Sequence, residues 1–117
     1  MTVRLAVYGL LRRGERLAHL MAGADLLGEA RIDGYALFDL GEYPGAVGGG
    51  GGVVCEIYEA ASPAVLDLLD EAEGVFAEPP LFRRELVEAL GAPAWIYVYA
   101  GPVTPGARIA SGDWKRR

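Results

Sequence analysis

The chain has 117 residues, 52% of them hydrophobic, with 11 Lys and Arg against 16 Asp and Glu for a formal net charge of -5. At roughly 100 to 150 residues per domain, that predicts one domain over 1–117 whose core needs neither disulfides nor a structural metal. The acidic balance argues against nucleic acid, whose binders carry a basic face, because basic residues cluster only at Arg12-Arg13, Arg83-Arg84 and Lys115-Arg116-Arg117.

No run approaches the roughly 18 consecutive apolar residues of a membrane helix, and the N-terminus enters a strand pattern directly rather than a signal peptide. A cytoplasmic protein is expected. Cys55 is the only cysteine and lies in the strand-like run Val53-Val54-Cys55-Glu56-Ile57-Tyr58, where a buried, inert thiol is expected. The chain has no Asn and no Gln, and ten of its eleven basic residues are Arg. Heat adaptation favours missing amides, although coding bias also favours Arg.

In chain order, Val3 to Tyr8 reads as a strand broken by Gly9, and Leu17, Leu20 and Met21 suggest a short helix over Arg16 to Ala22. A second strand runs from about Glu29 to Leu40 with Gly34 as a bulge, followed by a turn over Gly41 to Gly45. Gly48 to Gly52 are expected to form a flexible connection near the pocket, since glycine carries the largest backbone entropy cost and has no side chain to pack. A phosphate cradle would need a helix to open directly after the glycines, and a strand follows instead.

The clearest helix starts at Ser62 as N-cap with Pro63 at its first position and stops before Gly74. Phe82 to Ala89 and Ala94 to Tyr99 read as a hairpin joined across Gly91-Ala92-Pro93, and the tail from Gly101 reads as irregular. On the last strand Trp95, Tyr97 and Tyr99 alternate, which suits a core or a partner surface equally.

With about 100° per residue and Leu66 as origin, Val65, Leu68, Leu69 and Ala72 fall at about −100°, −160°, −60° and −120°, an apolar arc. Asp70, Asp67 and Glu71 fall at about +40°, +100° and +140°, on the side assigned to solvent, whereas Glu73 falls at about −20°, inside the arc. Burial and the negative end of the helix dipole both raise the pKa of such a carboxyl, as a general acid/base near neutral pH requires. The alternative is a solvated carboxylate at a frayed helix end.

Other chemistries lack their residues. His19 is the only histidine, so no multi-histidine metal site exists, and Ser62 and Ser111 are the only serines, neither in a nucleophile-elbow context. Gly9 and Gly14 are spaced as in a phosphate-binding loop, but Glu15-Arg16 stand where Lys and Ser or Thr are needed. What remains is a strand ending in the turn Tyr8-Gly9-Leu10-Leu11, which can aim several backbone N–H groups into one concavity.

Taken together, Tyr8-Gly9-Leu10-Leu11-Arg12-Arg13-Gly14, Tyr43-Pro44, Leu69-Asp70-Glu71-Ala72-Glu73-Gly74, Leu81-Phe82-Arg83-Arg84 and Ser111-Gly112-Asp113-Trp114 resemble the gamma-glutamylcyclotransferase family, most closely its short gamma-glutamylamine cyclotransferase-like branch. The resemblance implies an α+β fold, a small mixed β-barrel-like sheet with flanking helices. It also implies a small-molecule gamma-glutamyl substrate, whose α-amine attacks its own side-chain amide to release 5-oxoproline and an amine. On this resemblance Glu73 is the catalytic base and acid, and Tyr8, Gly9, Leu10, Leu11, Phe82 and Arg84 bind substrate, with no cofactor or metal. Leu10 stands where the family commonly has Thr or Ser, and Phe82 where it often has Tyr. These replacements keep open a non-catalytic metabolite-binding domain. Removal of a gamma-glutamyl protecting group in biosynthesis would use the same chemistry on another substrate.

Overall fold

The computed structural model describes residues 1–117. β1 (Val3–Val7), β2 (Ala24–Asp39), β3 (Pro44–Ala60), the single α-helix α1 (Ala64–Ala72), β4 (Phe82–Ala89) and β5 (Ala92–Tyr99) follow in chain order. The five strands form one mixed sheet in the order β2-β3-β1-β5-β4. β1 runs parallel to β5, and the β1–β3, β2–β3 and β4–β5 neighbours are antiparallel. A further bridge, Ala46 to Val98, links β3 to β5, and Tyr35 Oη donates to Glu85 Oε1 at 2.6 Å, tying the outer strands β2 and β4 together. The sheet therefore curls towards a barrel. Its flank carries α1 and short 3-10 turns rather than several helices; the expected helix over 16–22 is a 3-10 turn at Ala18–Met21.

The glycine run departs from expectation. Gly48 to Gly52 fall within β3: Gly48 pairs with Tyr35 and Gly52 with Asp33, so Gly49 to Gly51 stand opposite the single residue Gly34, and the extra residues of this irregularity lie on the glycine run rather than at Gly34. β2 pairs with both ends of the run and so keeps it within the hairpin despite glycine's weak strand propensity, and none of the five glycines lines the cavity described below. The β4–β5 turn is also tighter than expected. Ala89 pairs with Ala92, leaving Leu90 and Gly91 at φ 53° and 84°, the left-handed pair of a two-residue hairpin turn. Arg4 Nη1 steadies it by donating to the Ala89 and Leu90 carbonyls, both at 3.1 Å.

Each face of the sheet carries a core. One cluster gathers Leu37, Val53, Ile57 and Ile96 with Trp114 from the tail, which docks through Ile109 N–H to Leu37 O and Val54 N–H to Gly112 O, both at 2.8 Å. The other packs Leu66 and Leu69 of α1 on Leu5, Val7, Leu11, Phe82 and Tyr97. Trp95 and Tyr99 join this second cluster, so the alternating aromatics of β5 face a core.

Candidate active site

β1 ends at Val7, and the chain turns at once because Arg12 N–H closes on Gly9 O at 3.0 Å and Leu17 N–H on Leu10 O at 2.9 Å. Position 9 requires glycine: a Cβ there would lie 2.6 Å from Pro44 Cγ. None of the amides of Gly9, Leu10 and Leu11 donates to a backbone carbonyl, which leaves three donors available on one turn.

An ionic knot behind the turn fixes it. Arg12, 3% exposed, donates from Nε to Glu56 Oε2 at 3.0 Å and from Nη1 to Asp113 Oδ1 at 2.7 Å, while Arg13 N–H donates to Glu56 Oε1 at 2.7 Å. Burial, the largest single influence, pushes the Asp113 carboxyl up, but the hydrogen bonds from Arg12 and the Lys115 amide together with the charges of Arg12 and Arg116 outweigh it, and the net shift is downward. In the sequence Arg12 is part of a basic cluster and of the Tyr8 to Gly14 motif, but its partners lie 44 and 101 positions away, too far for local pattern to reveal.

α1 brings the acid. Ser62 Oγ accepts from Ala64 N–H at 3.1 Å, holding the entry one residue before the first full turn. At the other end Gly74, at φ 70°, donates to Glu71 O at 3.2 Å and Val75 N–H donates to Asp70 O at 3.0 Å, the paired bonds of a Schellman cap. The helix is rotated from the arc expected of it. Leu68 is 50% exposed, whereas Asp70, assigned to solvent, is buried with Leu66 and Leu69. Asp70 can be buried because it is paired: Tyr97 Oη donates to Oδ1 at 2.7 Å, and Arg84 grips it from Nε at 2.6 Å and Nη2 at 3.0 Å. Burial, then the bond to Asp70, push the Tyr97 phenol well up.

Glu73 lies one turn further along the same face, among the residues lining a cavity of about 220 Å³. Its carboxyl is pushed up to about 7 by burial alone, and it forms no ion pair. Tyr8, Gly9, Leu10, Leu11 and Phe82 line the same cavity, with Tyr43, Pro44 and Tyr97, and Arg16 is the one guanidinium on its wall. Arg84, expected to touch substrate, is not on the wall; it clasps Asp70 and lies 4.6 Å from the Trp95 ring centroid. Phe82 packs its ring against Tyr43 and Tyr99 at 6.1 and 5.4 Å. Cys55, fully buried, has its thiol pushed up to about 12 by burial.

Fold and site together define a class: a small α+β sheet protein with a cavity lined by one unpaired glutamate and by a turn of available amides. The chain belongs to the family described as gamma-glutamyl cyclotransferase, AIG2-like, whose model matches residues 5–116. It is 43% identical to the gamma-glutamylcyclotransferase family protein YtfP of Escherichia coli over 98% of both chains. The solution structure of ytfP from Escherichia coli superimposes with a TM-score of 0.73 over 96% of each chain, at 39% identity. A crystal structure of a Pyrococcus horikoshii protein matches with a TM-score of 0.83 at 33% identity, covering 97% of this chain and 90% of that one. An AIG2-like protein from Mus musculus, 21% identical with a TM-score of 0.75 over 97% of this chain and 88% of its own, shares the fold.

Proposed function

We propose that the protein releases 5-oxoproline and an amine from a gamma-glutamyl amine or amide. The observation that carries this reading is the unpaired Glu73 carboxyl, raised to about 7, in the cavity that the Gly9-Leu10-Leu11 turn also lines. The substrate's α-amine is an ammonium at neutral pH. Glu73 takes one of its protons, the nitrogen attacks the side-chain amide carbonyl, and the turn's amides stabilise the oxygen that becomes negative. Glu73 then returns that proton to the leaving nitrogen as the old C–N bond breaks, and the second proton that the ring nitrogen must lose ends on the released amine, which departs as an ammonium. A carboxyl of pKa near 7 can serve in both directions, and because the ring closure is intramolecular, holding the bent conformer supplies much of the acceleration.

The test is 5-oxoproline release from a panel of gamma-glutamyl dipeptides and gamma-glutamyl-ε-lysine. Turnover of at least one compound, abolished by Glu73→Gln, is expected. Full activity in that variant, or no product from any compound, would overturn the proposal. The apolar Leu10 and Phe82 on the cavity wall favour a second reading, a domain that binds a small metabolite without turning it over; calorimetric binding with no product would select it.

A further inference from the structure

The reaction proposed above needs the substrate's α-ammonium beside Glu73, and the inference drawn here rests on that reading. Two phenols of the cavity wall are fixed by bonds to the protein, and they differ in what they can still offer. Tyr8 Oη donates to Tyr97 O at 2.6 Å and accepts from Ala46 N–H at 3.0 Å, so it is satisfied in both senses. Tyr97 Oη donates to Asp70 Oδ1 at 2.7 Å and receives no donor in return.

Asp70 fixes the direction of that bond. A carboxylate gripped by the Arg84 fork at 2.6 and 3.0 Å accepts hydrogen bonds and offers none, so the phenol proton stays on the line to Asp70. Arg84 is itself held over the Trp95 ring, at 4.6 Å from its centroid. Tyr97 Oη is left with acceptor capacity only, strengthened by the charge it donates to. Such an atom suits a cation and disfavours an anion. The turn's amides have the opposite preference, and Tyr97 and that turn both line the cavity.

We propose that Tyr97 Oη, held as an acceptor by Asp70, docks the α-ammonium of the substrate, with Asp70 a positioning residue that acts through Tyr97. The cavity then sorts the two charges of a gamma-glutamyl group, ammonium towards Tyr97 and Glu73, carboxylate or developing oxyanion towards Gly9 to Leu11. It selects compounds with a free α-amine over otherwise identical ones without it.

The experiment uses Glu73→Gln protein, which stops turnover and removes the competing carboxylate, and measures calorimetric affinity for gamma-glutamyl-n-butylamide and glutaryl-n-butylamide. These differ only in the α-amino group. A preference of about tenfold for the amino compound is expected, collapsing to about one when Tyr97→Phe or Asp70→Asn is added, since an Asn N–H can donate to the phenol and turn its proton away. A purely structural role would weaken both compounds alike; that result, or a ratio that survives both changes, overturns the proposal. Should Asp70→Asn fail to fold, Tyr97→Phe decides alone, because it keeps the ring. If the preference behaves as expected while the unmodified chain forms no 5-oxoproline, the ammonium site stands and the proposed reaction falls. No binding of either compound overturns the ammonium site, while the reaction is judged separately by 5-oxoproline release from the unmodified chain.

Discussion

Two glutamates divide this molecule between them. Glu56, 2% exposed on β3, is surrounded by donors: Arg12 Nε at 3.0 Å, Arg13 N–H at 2.7 Å and Tyr58 Oη at 3.4 Å. Glu73, at the end of α1, faces a largely apolar cavity, and its carboxyl is raised to about 7 by burial with no donor to offset it. The same side chain is structural where its charge is matched and chemically available where it is not. Asp70, one turn from Glu73 on the same helix face, shows how local the distinction is, since Arg84 and Tyr97 take up its oxygens.

The comparison can be broken most severely at the cavity end. Glu73→Gln should lower the rate of 5-oxoproline release by roughly 10²- to 10⁴-fold with the fold intact, checked by product assay alongside circular dichroism. At the other end, Arg12→Met strips Glu56 of its guanidinium and should cost about 3 to 5 kcal/mol in urea unfolding, since it leaves a buried charge uncompensated. A loss below about 1 kcal/mol would mean that the knot behind the first turn contributes little.

Titration sharpens the contrast further. Because Glu73 is raised from 4.5 to about 7, the folded chain holds its proton while the unfolded chain has already released it. Its contribution to stability therefore falls as pH rises from 4.5 to about 7 and is level on either side of that window. Glu73→Gln should be more stable than the unmodified protein by about 1 to 3 kcal/mol at pH 8 and equal to it at pH 4, measured by denaturant unfolding at each pH. A difference independent of pH would remove the claim that Glu73 is half-buried and unpaired. The smallest effect lies outside both regions: Ser62→Ala should cost about 0.5 to 1 kcal/mol and leave the catalytic rate as it is.

Much of this was legible along the chain. The Ser62 and Gly74 signals bracket α1 to within a residue or two, and helical spacing places Glu73 on the covered face. The break after Tyr8 and the pairing of β4 with β5 follow from glycine positions and β-branched or aromatic runs. Each of these rests on residues within a few positions of one another, where backbone preference and periodicity act directly. What sequence pattern misjudged has partners far away. Asp70 was assigned to solvent because its bonds to Arg84 and Tyr97 span 14 and 27 positions, and Arg12 gave no sign of Glu56 or Asp113 at 44 and 101. The glycine run reads as a flexible loop until β2 pairs with both of its ends, and Arg84 reads as a substrate contact until Asp70 turns inward to meet it.

The sequence by itself determined the order of the elements, the sharp turn at Gly9 and the helix that ends in a glutamate, because local sterics and spacing suffice for those. Tertiary structure alone decided which carboxylates are matched and which one is not. Burial is costly for all of them, and whether a donor lies within about 3 Å depends on how distant strands and the helix pack.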